Sequence, residues 1–174
     1  MTSSSTPTRC FLQQLIDTLT VTESYFFRED AHFQVLSRHI MPELLKRSDG
    51  SVRIWCAGCA RGEEPYTLAM YLLKDGWILP SRDIKIYATD INRAALQVGR
   101  SGVYSERSLS FRNTPSYFLE KYFERPEEHL YRVRRLVRDI VEFSCLNLVD
   151  REATGRMRGS SDSIPKEGVR GICD

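Results

Sequence analysis

Val52-Arg-Ile-Trp-Cys-Ala-Gly-Cys-Ala-Arg-Gly-Glu-Glu-Pro65 decides the fold. A β-prone run from Val52 to Ala57 leads into a turn carrying Gly58 and Gly62. Pro65, Leu68, Ala69, Leu72 and Leu73 then fall at i, i+3, i+4, i+7 and i+8. That spacing predicts a core-facing helix, with proline in the first turn, where its missing N–H costs nothing. Gly76 suits the helix end. Ile84-Lys-Ile-Tyr-Ala-Thr89 reads as a second strand and Ile91 to Gly99 as a second helix. A β–α–β–α order within one domain predicts an α/β fold with a parallel sheet and flanking helices.

Working outward, residues 1–9 read as a flexible lead, and Cys10 to Leu19 places Phe11, Leu15 and Leu19 at helical spacing. Glu29 to Lys46 carries Phe33, Leu36, Ile40 and Leu44 on one face, an amphipathic pattern that Pro42 kinks or interrupts. Residues 10–47 are read as a helical N-terminal segment. From Gly102 the pattern changes. Thr114-Pro115 opens a short helix faced by Phe118, Leu119, Tyr122 and Phe123, and Leu130 to Val137 suits an exposed antiparallel strand. Ile140-Val-Glu-Phe-Ser-Cys145 then reads as another sheet strand. Arg151 to Asp174, with four glycines and little apolar periodicity, reads as an irregular tail.

Composition narrows the class. In 174 residues, 41% hydrophobic and 28% charged, no run approaches the roughly 20 apolar residues of a spanning helix. Lys+Arg 25 against Asp+Glu 23 leaves a net charge of +2, so no overall basic field points to nucleic acid. Five cysteines at uneven spacing are not a secreted disulfide framework, and the Ser/Thr-rich start lacks a signal peptide's apolar stretch. A reduced, cytoplasmic protein is expected. Cys56-Ala-Gly-Cys59 has no second pair to complete a zinc site, and His32, His39 and His129 supply none.

The chemistry gathers where two strands end, the place where open α/β sheets bind ligands. Glu63 and Glu64 begin a helix, where the dipole favours carboxylates. Capping alone would explain them, but an acidic mouth also suits a ligand with an amino or sulfonium group. Gly62 is followed by Glu rather than Lys-Ser/Thr, so this is no P-loop. Asp90 closes the second strand, where an acidic residue commonly grips ribose hydroxyls, although Asp-Ile-Asn also makes a good helix cap. Together the two ends suggest a nucleoside cofactor with a positive centre, which S-adenosylmethionine satisfies.

Thr22-Glu-Ser-Tyr-Phe-Phe-Arg28, Ile54 to Tyr66, Ala88-Thr-Asp-Ile91, Gly102-Val-Tyr104 and Val141-Glu-Phe-Ser-Cys-Leu-Asn-Leu148 stand in the order and spacing of the chemotaxis-receptor glutamate methyltransferases, and the chain resembles that CheR-type family from Phe11 to Asp150. The resemblance implies a partial Rossmann-like S-adenosylmethionine-dependent methyltransferase fold, with 48–101 as the first half of the methyltransferase domain, 102–138 as an inserted β-subdomain that helps dock the receptor, and 139–150 as the third sheet strand with the Asn-Leu motif. It also implies methylation of glutamate side chains on the cytoplasmic domains of methyl-accepting chemoreceptors, with S-adenosylhomocysteine as product and neither nucleic acid nor membrane insertion involved. Thr22 and Ser24 match the polar pair beside the cofactor, often Asn and Thr in the family, and Arg28 and Glu63 match cofactor-binding positions. Asp90 would take the ribose, with Asn147 and Leu148 bordering the nucleoside.

The residues alone leave alternatives at several of these positions. Tyr25, Phe26 and Phe27 are expected in the core, and an arginine straight after buried aromatics calls for a partner or an anionic ligand. Asn147 serves a turn equally well. Arg132, Arg134, Arg135 and Arg138 read first as a solvated strand face, and otherwise as a surface for acidic receptor helices or for DNA. The substrate carboxylate, with a reference pKa of about 4.3, needs no general base, so no catalytic residue and no metal are expected. The family continues past Asn-Leu with further strands, an Arg-Asn pair and a Tyr-Phe, whereas Asp150 is followed here by Arg-Glu-Ala-Thr-Gly-Arg. The expectation is a truncated or frame-shifted enzyme that keeps half the cofactor pocket, binds S-adenosylmethionine weakly or not at all and is impaired in activity, with a non-catalytic receptor- or partner-binding fragment as the alternative.

Overall fold

The computed structural model describes residues 7–158. Residues 1–6 of the expected flexible lead and 159–174 of the expected tail lie outside the described residues. The elements run α1 (Pro7–Leu19), α2 (Asp30–Val35), a π-helical turn (Leu36–Ile40), α3 (Met41–Arg47), β1 (Ser51–Ala57), α4 (Glu63–Lys74), β2 (Asp83–Asp90), α5 (Arg93–Ser101) and β3 (Val103–Ser105). A 3₁₀ turn (Leu109–Phe111), α6 (Ser116–Tyr122), β4 (Phe123–Glu124), β5 (Leu130–Val133), α7 (Arg135–Arg138), β6 (Val141–Cys145) and α8 (Arg151–Arg158) follow.

The main sheet has the order β1-β2-β6 and is parallel throughout, with Ile54 opposite Ile86 and Ala88 opposite Phe143. The α/β architecture is the one the periodicity predicts. In α4, Leu68, Ala69 and Leu72 of the predicted stripe are at most 1% exposed and Leu73 is half-buried, while Met70, outside the stripe, and Ile86 of β2 are buried as well. The stretch with Pro42 is a π-helical turn that gives way to α3 at Met41, whose N–H bonds back to the Leu36 carbonyl. The wider turn accommodates a proline that cannot donate to residue 38.

A second, antiparallel sheet of order β3-β5-β4 sits between α5 and β6 in sequence, with Tyr104 opposite Tyr131 and Phe123 opposite Val133. An aromatic cluster holds it to the segment after α1. The Phe26 ring lies 5.0 Å from Tyr104, 5.3 Å from Phe111 and 5.1 Å from Phe123.

Three expectations need correction. Pro7 to Arg9, assigned to the flexible lead, are the first turn of α1, with proline where a helix tolerates it. The strand expected over Leu130 to Val137 ends at Val133: the Arg134 N–H makes the last bond of the ladder, to the Tyr122 carbonyl, and α7 then begins, with the Val137 N–H turning back to the Arg134 carbonyl. The arginines consequently do not form one strand face. Arg132 pairs with Glu124, Arg135 with Asp139, and Arg134 binds the Phe123 and Glu120 carbonyls. Finally, the first eight residues of the expected irregular tail are α8. The Asp150 carboxylate accepts the Ala153 N–H as a cap, and Ala153 and Met157, one turn apart, bury themselves against Tyr87 and Leu146, with Trp55 beside them. Among the described residues, no helix is long and apolar enough to cross a membrane.

Candidate functional site

The carboxyl ends of β1 and β2 meet through backbone and one side chain. The amides of Gly58 and Cys59 both donate to the Thr89 carbonyl, at 2.8 and 2.9 Å. One Asp90 oxygen accepts the Ala60 N–H at 2.8 Å and the other the Asn92 N–H at 2.9 Å. Asp90 therefore pins the turn after β1 to the turn after β2. Asn92, rather than Asp90, caps α5 by accepting the Ala95 N–H.

The turn after β1 is held in unusual backbone geometry. Gly58 and Gly62 have φ of 71° and 90°, and Ala60 has φ of 46°. At Gly62 an added Cβ would lie 2.7 Å from the Phe143 ring, so close packing also requires glycine there. At Gly58 an added Cβ would meet nothing within 4 Å, leaving open space beside the backbone. Phe27 and Glu29 also have left-handed φ, 61° and 50°. Three of these non-glycine left-handed residues thus fall in the two loops that carry the motifs, and such strain gathers where a fold holds a ligand or a switch.

Glu63 opens α4 and is fully buried. Its Oε1 accepts from Arg61 Nε at 3.3 Å, Arg61 Nη2 at 3.2 Å and Ser110 Oγ at 2.9 Å. Its Oε2, equally buried, has no hydrogen-bond partner among the described residues. A buried carboxylate oxygen without a donor is costly. Glu63 and Asp90 both act on Cys59 between them: burial first, then Asp90, with Glu63 a weaker contributor, push its thiol up. Burial likewise pushes the Cys56 thiol up to about 12, with Glu64 adding to it. Both thiols are free and unreactive. Cys145, at the end of β6, is disulfide-bonded, which corrects the expectation that every cysteine is reduced.

The segment from Thr20 to Arg28 runs between these two corners. At one end Asn92 Nδ2 donates to Thr20 Oγ1 at 2.8 Å. At the other the Phe26 N–H donates to the Ser110 carbonyl at 2.8 Å and the Phe27 N–H to Thr67 Oγ1 at 3.1 Å. Phe26 and Phe27 are core residues. Between the anchors lie Thr22, half-buried, and Ser24, buried. Arg28 is exposed, with its guanidinium 5.8 Å from the centre of the Tyr25 ring. Asn147 is half-buried and its Oδ1 accepts the Val149 N–H at 3.1 Å, a turn role, while Leu148 is 50% exposed. The Leu146 N–H donates to the Asp90 carbonyl at 3.0 Å, which brings the Asn147 turn beside the second corner.

Sequence reasoning passed over two members of this arrangement. Arg61 stands inside the quoted turn, where its position two residues before Glu63 was a usable signal. Ser110 comes from a distant 3₁₀ turn and carries no local signal at all.

Residues 22–158 match the family described as CheR methyltransferase, SAM binding domain. The chain is 38% identical over 146 residues to the chemotaxis protein methyltransferase of Borreliella burgdorferi, covering 80% of this chain and 50% of that protein. It is 35% identical over 154 residues to chemotaxis protein methyltransferase 2 of Vibrio cholerae (88% and 52%). It is 37% identical over 155 residues to the chemotaxis protein methyltransferase of Escherichia coli (87% and 51%). The chain thus spans about half the length of these curated relatives. Matched from Thr22 into α8, with both strand-end corners inside the match, the protein belongs to the CheR methyltransferase family through its S-adenosylmethionine-binding domain.

Proposed function

We propose that this chain is the cofactor-holding part of a cytoplasmic protein-glutamate O-methyltransferase acting on the cytoplasmic domains of chemoreceptors. The observation that carries this reading is the buried Glu63 carboxylate with one oxygen unpartnered, set beside a glycine turn that Asp90 ties to the next strand. The residues fit S-adenosylmethionine. Glu63 Oε2 offers an acceptor for an ammonium group, and the open space at Gly58 lets a ligand approach the backbone. In this reading Asp90 takes the ribose hydroxyls through lone pairs not used by the Ala60 and Asn92 amides. Thr22, Ser24 and Arg28 contact the amino-acid end, and Asn147 and Leu148 border the nucleoside.

When bound, S-adenosylmethionine supplies an electrophilic methyl group on a cationic sulfonium. The substrate carboxylate needs no proton removed near neutral pH, so the protein's task is to position and to exclude water. Titration of the chain with S-adenosylhomocysteine tests the reading. Saturable binding that Glu63→Ala abolishes is expected, and the absence of saturable binding up to millimolar ligand overturns it.

A second reading, a non-catalytic receptor- or partner-binding fragment, is favoured by the outer edge of β1, which has no strand partner among the described residues. Radiolabelled methyl transfer to a receptor fragment, set beside a receptor pull-down, separates the two. Retention without transfer supports the second.

A further inference from the structure

We propose that Arg61 and Ser110 position the Glu63 carboxylate for the amino-acid end of the cofactor, and so set the site's preference for nucleosides that carry an ammonium group. The inference rests on the cofactor reading above and concerns residues which that reading leaves without a role. Among the described residues, three donors converge on Glu63 Oε1 and none on Oε2. A carboxylate satisfied on one side only is held against rotation, and its second oxygen is kept for an external donor.

The clamp is itself fixed from outside α4. Arg61 Nη2 also donates to Ser110 Oγ at 2.6 Å, so guanidinium, hydroxyl and carboxylate form one closed set. The Arg61 carbonyl accepts the Tyr104 hydroxyl at 2.6 Å from β3, and the Ser110 carbonyl accepts the Phe26 N–H. Ser110 is fully buried, so its hydroxyl has no competing water. An unclamped guanidinium beside Glu63 would compete with a ligand ammonium for the carboxylate. Engaged with Oε1 and Ser110, Arg61 leaves Oε2 uncontested.

Arg61 and Ser110 are therefore positioning residues, and their effect is confined to ligands with an amino-acid tail. Ligand-observed NMR on the full chain measures binding of S-adenosylhomocysteine and of 5′-methylthioadenosine, which lacks that tail. Ser110→Ala is expected to weaken S-adenosylhomocysteine about tenfold while 5′-methylthioadenosine binds as before. In a Glu63→Gln background the same substitution is expected to add little. Retained 5′-methylthioadenosine binding also reports that the variant folds. Should Ser110→Ala fail to fold, Arg61→Met, at a side chain 32% exposed, gives the same asymmetry, and Arg61→Lys restores part of the tailed ligand's affinity. Equal loss for both ligands, or no loss for either, overturns the clamp while the cofactor reading stands. Failure of the unsubstituted chain to bind either ligand overturns both.

Discussion

Glu63 at the corner after β1 and Asp90 at the corner after β2 are built in opposite ways. Asp90 spends both oxygens on backbone amides, those of Ala60 and Asn92, and is half-buried. Glu63 is fully buried, spends one oxygen on side chains and leaves the other without a donor. Asp90 is thus a structural tie with spare lone pairs, and Glu63 is an acceptor held in reserve. The same residue chemistry can serve as scaffold or as recognition group, and the number of protein donors per oxygen separates the two roles.

The sharpest test of this contrast lies in the glycine turn between the two groups. Gly62→Ala is expected to cost about 3 kcal/mol, because the new methyl group must displace the Phe143 ring in a left-handed backbone. Gly58→Ala, with open space around it, is expected to cost only about 1 kcal/mol from its backbone conformation. Urea denaturation of the two variants checks the ranking, and equal losses would mean that Phe143 does not set the geometry of the first corner.

Asp90→Ala strips acceptors from two amides and is expected to lose about 2 kcal/mol in the same measurement. Asp90→Asn, which keeps one acceptor oxygen, should lose about half as much. A loss near zero would remove Asp90's role as a tie.

The smallest effect concerns the thiols between the corners. The Cys56 thiol, pushed from 9.0 up to about 12, stays protonated in the fold at a pH where the unfolded chain has lost its proton. Its contribution to stability is complete below pH 9 and is lost as pH rises toward 12, roughly 1 kcal/mol between pH 9 and pH 10. Urea midpoints across that interval should fall, and Cys56→Ala should remove its share of the fall while the share of Cys59, whose thiol is also pushed up, remains.

The sequence made legible whatever is local. The β1 turn and the α4 stripe follow from periodicity and from Gly58, Gly62 and Gly76 close by in the chain. The helix α8 was also local, written in the Asp150 cap and in the Ala153 and Met157 pair, but Gly155 and scattered charges hid a two-residue apolar face. The end of β5 at Val133 follows from the start of α7, where the Val137 N–H turns back to the Arg134 carbonyl, and no alternation of side chains announces it. The Glu63 site divides the same way. Its carboxylate stands in the motif, whereas Ser110 reaches it across 47 positions of chain, and Arg28's exposure depends on how the aromatic pair before it turns inward.

Trp55 of β1 donates its indole N–H to Thr89 Oγ1 at 2.9 Å, one residue before Asp90, and packs against the cluster that includes Met157. The protein therefore carries its own optical reporter at the strand ends. Any molecule settling there alters the surroundings of that indole, whereas Trp77 sits past the far end of α4. Emission from Trp55, isolated by replacing Trp77 with phenylalanine, follows occupancy of the site without an attached dye.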